Sequence, residues 1–298
     1  MLFEITTIPL RGPGKRGAAN GSLWKTFVPI CVCLWAVAIS AIGCRAEPAQ
    51  VGQHPYTFEQ GDLRINYLLY LPEDYGRNPF KRWPLLLFLH GSGEQGSTVE
   101  DLERLKTQGL PKLVVEQPDF DALTERFMVL SPQCPGWYWK AQFDALDALL
   151  EEIQETYAVD SQRIYLTGIS QGGFGAWQYG LQHPRRFAAL VPIAGGYGYA
   201  VETVYVGGGY SEIRLTLDPE PPAHLCDLEQ MPVWVFHGAQ DAGIPHAQTA
   251  DVLVEALQAC GGKVRYTLYP NTGHDAWTET YADPSFYTWL LEQQRSAD

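Results

Sequence analysis

The stretch Gly168-Ile169-Ser170-Gln171-Gly172-Gly173-Phe174-Gly175 limits what this chain can fold into more than any other. Before it runs Arg163-Ile164-Tyr165-Leu166-Thr167, a short segment of β-type. After it comes Ala176-Trp177-Gln178-Tyr179-Gly180-Leu181, which reads as a helix. A strand that turns sharply into a helix at a serine lifts the hydroxyl clear of the backbone, and glycines on either side leave room for that turn and for close strand–helix approach. Ser170 is therefore expected to be a nucleophile, provided the chain supplies a base, an acid and an oxyanion hole.

The rest of the chain agrees with the α/β architecture that this turn requires. Continuous or alternating apolar runs at Ile65–Leu71, Pro84–Leu89, Phe127–Leu130, Phe187–Ile193, Val233–Phe236 and Val264–Tyr269 read as strands. Helical patterns lie between and after them at Thr98–Val115, Gln142–Tyr157, Ala247–Cys260 and Pro284–Gln293. Alternation of this kind predicts an α/β fold with a mostly parallel central sheet and helices on both faces. No internal repeat or linker divides residues 47–298, which are expected to form a single catalytic domain. One connection, Gly195–Met231, is too long to be ordinary and is read as a cap insertion at 195–231.

Residues 1–46 read separately. Arg11, Lys15, Arg16 and Lys25 precede an apolar run from Phe27 to Gly43, and Cys44-Arg45-Ala46 follow, which is the pattern of an export signal. Cleavage after Ala46, lipidation of Cys44 and an uncleaved membrane anchor remain as alternatives, with simple export preferred. Without this segment 16 basic residues face 33 acidic ones, a formal net charge of −17. Such a surface repels phosphate backbones and anionic lipid, so no nucleic-acid partner is expected. Of six cysteines, Cys134, Cys226 and Cys260 lie outside the leader without metal spacing. One disulfide is compatible with export, Cys226–Cys260 being a candidate that spacing alone does not establish. No cofactor and no metal are expected, because no histidine–carboxylate cluster has ligand spacing.

The chemistry assembles in chain order. His274, in the turn-rich Pro270-Asn271-Thr272-Gly273-His274-Asp275 after the last predicted strand, is the expected base. Asp241, in His237-Gly238-Ala239-Gln240-Asp241 after the strand Val233–Phe236, is the expected acid, ahead of Asp275 and Asp251. The backbone N–H groups of Gln171 and Ser92 are the expected oxyanion hole, with Gly91 the next choice to Ser92. His90 and His237 read as structural hydrogen-bonding residues. Among the aromatic residues near these motifs, Trp139 and Trp277 are the candidates for substrate binding.

With Tyr67–Pro72, His90–Glu94, Ser131–Pro135, Gly168–Gly175, His237–Asp241 and Gly273–Trp277 in this order, the chain resembles the esterase branch of the α/β-hydrolase superfamily. The similarity runs from about Tyr67 to Leu291 and lies near the phospholipase/carboxylesterase, feruloyl-esterase and polyhydroxybutyrate-depolymerase groups. The resemblance implies Ser170 as nucleophile, His274 as base, Asp241 as acid, and an oxyanion hole at Ser92 and Gln171. Dienelactone hydrolases share the fold but use a cysteine nucleophile, so the serine counts against their chemistry. The expected function is hydrolysis of carboxylic esters through an acyl-enzyme, with acyl groups on plant polysaccharide as the substrate suggested by export and the aromatic residues. Two rivals remain: a serine peptidase of prolyl-oligopeptidase type, disfavoured because no propeller-sized N-terminal region is present, and a non-catalytic binding protein of the same fold.

Overall fold

The computed structural model describes residues 49–207 and 210–295, so the expectations for residues 1–46 lie outside the described residues. Strands β1 (Gly52–Gln60), β2 (Leu63–Leu71), β3 (Trp83–Leu89), β4 (Met128–Pro132), β5 (Val159–Ile169), β6 (Ala189–Ile193), β9 (Val233–Gly238) and β10 (Val264–Tyr269) form one sheet in the order β1-β2-β4-β3-β5-β6-β9-β10. From β4 to β10 every neighbouring pair is parallel, whereas β1 and β2 add an antiparallel edge.

The period-2 alternation of a strand explains the layering. Along β3, Leu85, Leu87 and Leu89 enter one core, which also takes side chains from α3 (Phe143–Thr156), α4 (Gln171–Gln182) and α5 (Ala250–Ala259). Leu86 and Phe88 enter the other, with side chains from α1 (Gly109–Glu116), α6 (Trp277–Ala282) and α7 (Pro284–Glu292). A strand buried on both faces has no polar side, which is why β3 is continuously apolar. The short helix α2 (Asp121–Thr124) precedes β4.

Three stretches depart from the sequence reading. Thr98–Val115 is a 3-10 segment, Glu100–Thr107, followed by α1, rather than one helix. The break falls at Gln108, which is extended, and Gly109 follows it with φ +60° at a point where a Cβ would come within 2.3 Å of the Phe88 ring. Strand β1 departs from the reading because GQHPYTFEQ is mostly polar, and as on an edge strand only Phe58 of it is buried. The long connection Gly195–Met231 contains an antiparallel pair, β7 (Gly198–Gly207) and β8 (Tyr210–Asp218), as a separate two-stranded sheet. A short 3-10 turn, Leu225–Leu228, then leads back to the core, and its Cys226 is bonded to Cys260 at the end of α5. Among the described residues no helix is long and apolar enough to cross a membrane.

Candidate active site

Ser170 stands between β5 and α4 with φ 51° and ψ −118°, a conformation that L-residues rarely adopt. Such backbone costs about 1–3 kcal/mol and persists only where the surroundings hold it. Here the Ser170 N–H donates to Ile193 O at 2.9 Å and its carbonyl accepts from Phe174 N at 3.1 Å. A Cβ at Gly168 would lie 2.2 Å from Gly172 O, and one at Gly172 only 2.0 Å from Leu89 O. The glycine spacing seen in the sequence is thus the spacing at which backbone touches backbone.

The ends of β5, β9 and β10 bring together three residues that are far apart in the chain. The Ser170 hydroxyl donates to His274 Nε2 at 2.8 Å, and His274 Nδ1–H donates to Asp241 Oδ2 at 2.6 Å. Asp241 is buried, and its Oδ1 accepts from the N–H groups of Gly243 and Ile244 at 3.0 and 2.9 Å. Burial alone would raise its pKa, but hydrogen bonds from His237, His274 and Ile244 outweigh that and hold the carboxyl well below the usual range. An ionised carboxylate only accepts, so it fixes the proton of His274 on Nδ1 and leaves the Nε2 lone pair facing Ser170. The arrangement can move a proton from Ser170 to His274 while Asp241 stabilises the imidazolium.

The rival acids are engaged elsewhere. Asp275 accepts from Thr278 N and Thr278 Oγ1 at 3.0 and 2.9 Å, across the first turn of α6. Asp251 is bonded to His246 and to the Tyr266 hydroxyl.

The loop after β3 lies against Ser170. A Cβ on Gly91 would sit 3.5 Å from Ser170 Cβ, and Ser92 next to it is exposed and opens the turn Ser92–Glu94. Gln171 begins α4, and its side chain donates to Gly136 O at 2.7 Å while accepting from Gln95 at 2.9 Å. Gln133 braces the same loop from behind, donating to Glu94 O and Asp101 O at 2.9 and 2.8 Å. His90 is fully buried and accepts from Cys134 N at 2.8 Å through Nε2, so its proton is on Nδ1, donated to Gly91 O. Burial pushes its pKa down to about 4, leaving a neutral ring. Cys134 is buried too. Its thiol donates to Gly136 O at 3.1 Å, and burial pushes its pKa up to about 11, which leaves it protonated and unreactive.

The expected substrate-binding role of Trp139 is corrected. Its ring is 0% exposed, and its indole N–H donates to His90 O at 3.1 Å, so it is core beneath the loop. Trp277 adjoins the site, edge-on to the His274 ring at 5.3 Å, with its N–H donated to Gln108 Oε1. It is largely buried and walls His274 rather than offering a free face. Near the site, Trp137 and Tyr138 do reach solvent, in the loop that Gln171 holds through Gly136.

His237, expected as a structural hydrogen-bonding residue, has that role in the turn beside Asp241. It is 0% exposed, donates through Nε2 to Ile244 O at 2.8 Å, and the same nitrogen lies 3.4 Å from Asp241 Oδ2. The signal was present in the sequence as a histidine four residues before the acid. Among the described residues no cluster of His, Cys, Asp or Glu could hold a metal ion.

Comparison with known proteins adds two family models, "Prolyl oligopeptidase family" over residues 138–294 and "Putative esterase" over residues 62–197. A "Putative carboxymethylenebutenolidase" of Methylorubrum extorquens is 29% identical over 164 residues, which are 55% of this chain and 51% of that protein. The chain thus spans about half the length of that relative. A solved thermostable esterase superposes with a TM-score of 0.60 at 28% identity, covering 82% of this chain and 63% of its own. A ferulic acid esterase superposes at 0.55 with 18% identity, covering 81% of this chain and 100% of its own, a likeness of fold.

Proposed function

The chain belongs to the prolyl oligopeptidase family of α/β-hydrolases, and on that footing we propose that it is a serine esterase acting through an acyl-enzyme. The observation that carries this reading is the continuous hydrogen-bond chain from Ser170 through His274 to Asp241. In the proposed reaction His274 takes the Ser170 proton as the hydroxyl oxygen attacks the ester carbonyl. The tetrahedral oxyanion is met by the N–H groups of Gln171 and Ser92. The C–O bond to the alcohol breaks as His274 returns the proton to that oxygen. Water then repeats the sequence on the acyl-enzyme, releasing the acid and restoring Ser170.

An esterase is favoured over a peptidase by the esterase family model and by the thermostable esterase at 28% identity. For substrate we propose acyl esters on polysaccharide, and for residues 1–46 an export leader. A panel of nitrophenyl esters, acetylated and feruloylated xylan, and peptide amides tests the reading on wild type and Ser170→Ala. Ester turnover should exceed amide turnover, and Ser170→Ala should lower kcat/KM by about 10³-fold or more. Nitrophenyl turnover without release from either xylan would remove the polysaccharide, and preferred amide cleavage would replace esterase with peptidase.

A further inference from the structure

Where β7 leaves the core, the root of the β7–β8 arm and the outer face of α4 enclose a groove of about 500 Å³. Its lining includes Lys140, Gln178, Gln182, Tyr197, Tyr199 and His224. Helix α4 begins next to Ser170. At about 1.5 Å per residue, Gln178 and Gln182 lie roughly 12 and 18 Å along it from the nucleophile. The groove is thus beyond the reacting bond but directed away from it along a rigid element.

Its near end shares one loop with the site. Tyr199 packs on Phe174, one turn after Ser170, at 4.7 Å between ring centroids and stacks on Tyr138 at 5.4 Å and 25°. The Tyr199 hydroxyl donates to Trp137 O, and the Tyr138 hydroxyl accepts from Val201 N at 3.0 Å. Gly136, at the start of that loop, accepts from Gln171. Further out, Gln178 donates to Tyr197 O at 2.6 Å, and the His224 ring stands edge-on to Tyr197 at 6.4 Å. The Tyr199 ring and the Tyr197 backbone are therefore held in place before any ligand arrives, which lowers the entropy cost of binding.

The composition selects the occupant. Flat rings with amides between them fit a ligand that is apolar on its ring faces and hydroxylated at its edges. An acyl chain would meet Phe143 and Leu181 at the base of the groove but would cover Gln182 and Lys140 without giving them partners. Among the described residues lining the groove there is no carboxylate, although the whole chain has 34 acidic residues against 21 basic.

We propose that this groove is a saccharide-binding site, holding sugar units of an ester-bearing chain at a distance from the ester that Ser170 attacks. The assignment deepens the esterase reading and rests on it. Binding energy gained there is available to the reacting end, so it favours long substrates over short ones.

The experiment has two arms. In the first, xylohexaose is titrated into Ser170→Ala by calorimetry, with and without Tyr197→Ala and Gln182→Ala. Binding weakened at least fivefold by either groove substitution is expected. No binding, or binding that neither substitution changes, overturns the site whatever the enzyme hydrolyses. In the second arm, kcat/KM on acetylated xylohexaose is divided by kcat/KM on 4-nitrophenyl acetate. Each groove substitution should lower that ratio at least fivefold, mainly through KM on the oligosaccharide. A ratio unchanged in variants with native circular dichroism overturns the proposal while leaving the esterase reading intact. Absence of Ser170-dependent ester cleavage in wild type defeats the esterase reading instead, and the first arm then still decides whether the groove binds saccharide.

Discussion

Asp241 accepts from the N–H groups of Gly243, Ile244 and His274, and a fourth nitrogen, from His237, lies close to it without touching the nucleophile. His237 Nε2 lies 3.4 Å from Asp241 Oδ2 while donating to Ile244 O, and so it holds both ends of the turn that carries the acid. Its loss should loosen the aim of His274. His237→Leu is expected to lower kcat/KM about tenfold, equivalent to about 1.4 kcal/mol in the transition state. His237→Gln, which can keep a donor near the Nε2 position, should recover most of that loss; steady-state kinetics beside urea unfolding separates aim from stability. His90 gives a second expectation at this scale, in the pH dependence of folding. An unfolded histidine titrates near 6.5, whereas burial brings this one down to about 4. Between those values the unfolded chain takes up a proton that the folded chain refuses. Stability is therefore complete above about pH 6.5 and falls by about 3 kcal/mol as the pH drops to 4. Asp241 acts in the same direction at lower pH, since its depressed carboxyl stabilises the fold only while ionised. Urea titrations from pH 7 to 4 measure the first effect, and His90→Gln, which can still accept from Cys134 but does not titrate, should flatten it.

Single elements show where local pattern sufficed and where it did not. β3, β9 and β10 were legible because strands in a parallel sheet are apolar runs with turn residues at their ends, and the site residues follow those ends. The hydrogen-bonded set of Ser170, His274 and Asp241 was legible for the same reason. Trp139 was misread because proximity in sequence to an active-site motif says nothing about which way a ring points; its indole faces inward to His90. The helix expected through Thr98–Val115 was misread because Gly109 looks harmless in a helical pattern, and only the packed structure shows Phe88 against it. Gly109→Ala should therefore destabilise by about 2–3 kcal/mol, from a strained φ and an overpacked ring together, which denaturant unfolding would register. The bridge Cys226–Cys260 closes a loop with a sequence separation of 34 and ties the return from β8 to α5. On a chain-entropy estimate Cys260→Ser should cost about 3–4 kcal/mol. A variant with unchanged urea midpoint would show that this loop is already ordered in the unfolded chain.

Across the whole molecule, contacts that converge from distant parts of the sequence make the site: Ser170 and His274 are 104 residues apart, His274 and Asp241 33. The parallel sheet supplies that convergence, and the β7–β8 arm adds a second surface that no sequence period announced. Beneath both sits Cys134, whose backbone N–H is held by His90 and whose thiol is held by Gly136, in the loop shared by nucleophile and arm. A thiol so enclosed acts as a built-in clock. A thiol-specific reagent can modify it only when the loop lifts, so its labelling rate counts excursions of the active-site floor. In a chain with Cys31, Cys33 and Cys44 changed to serine, labelling by a maleimide should be at least 10²-fold slower than in urea-unfolded protein, about 2.7 kcal/mol of protection. A saccharide seated in the groove should slow it further. Labelling at the unfolded rate would mean that the floor of the site is open most of the time.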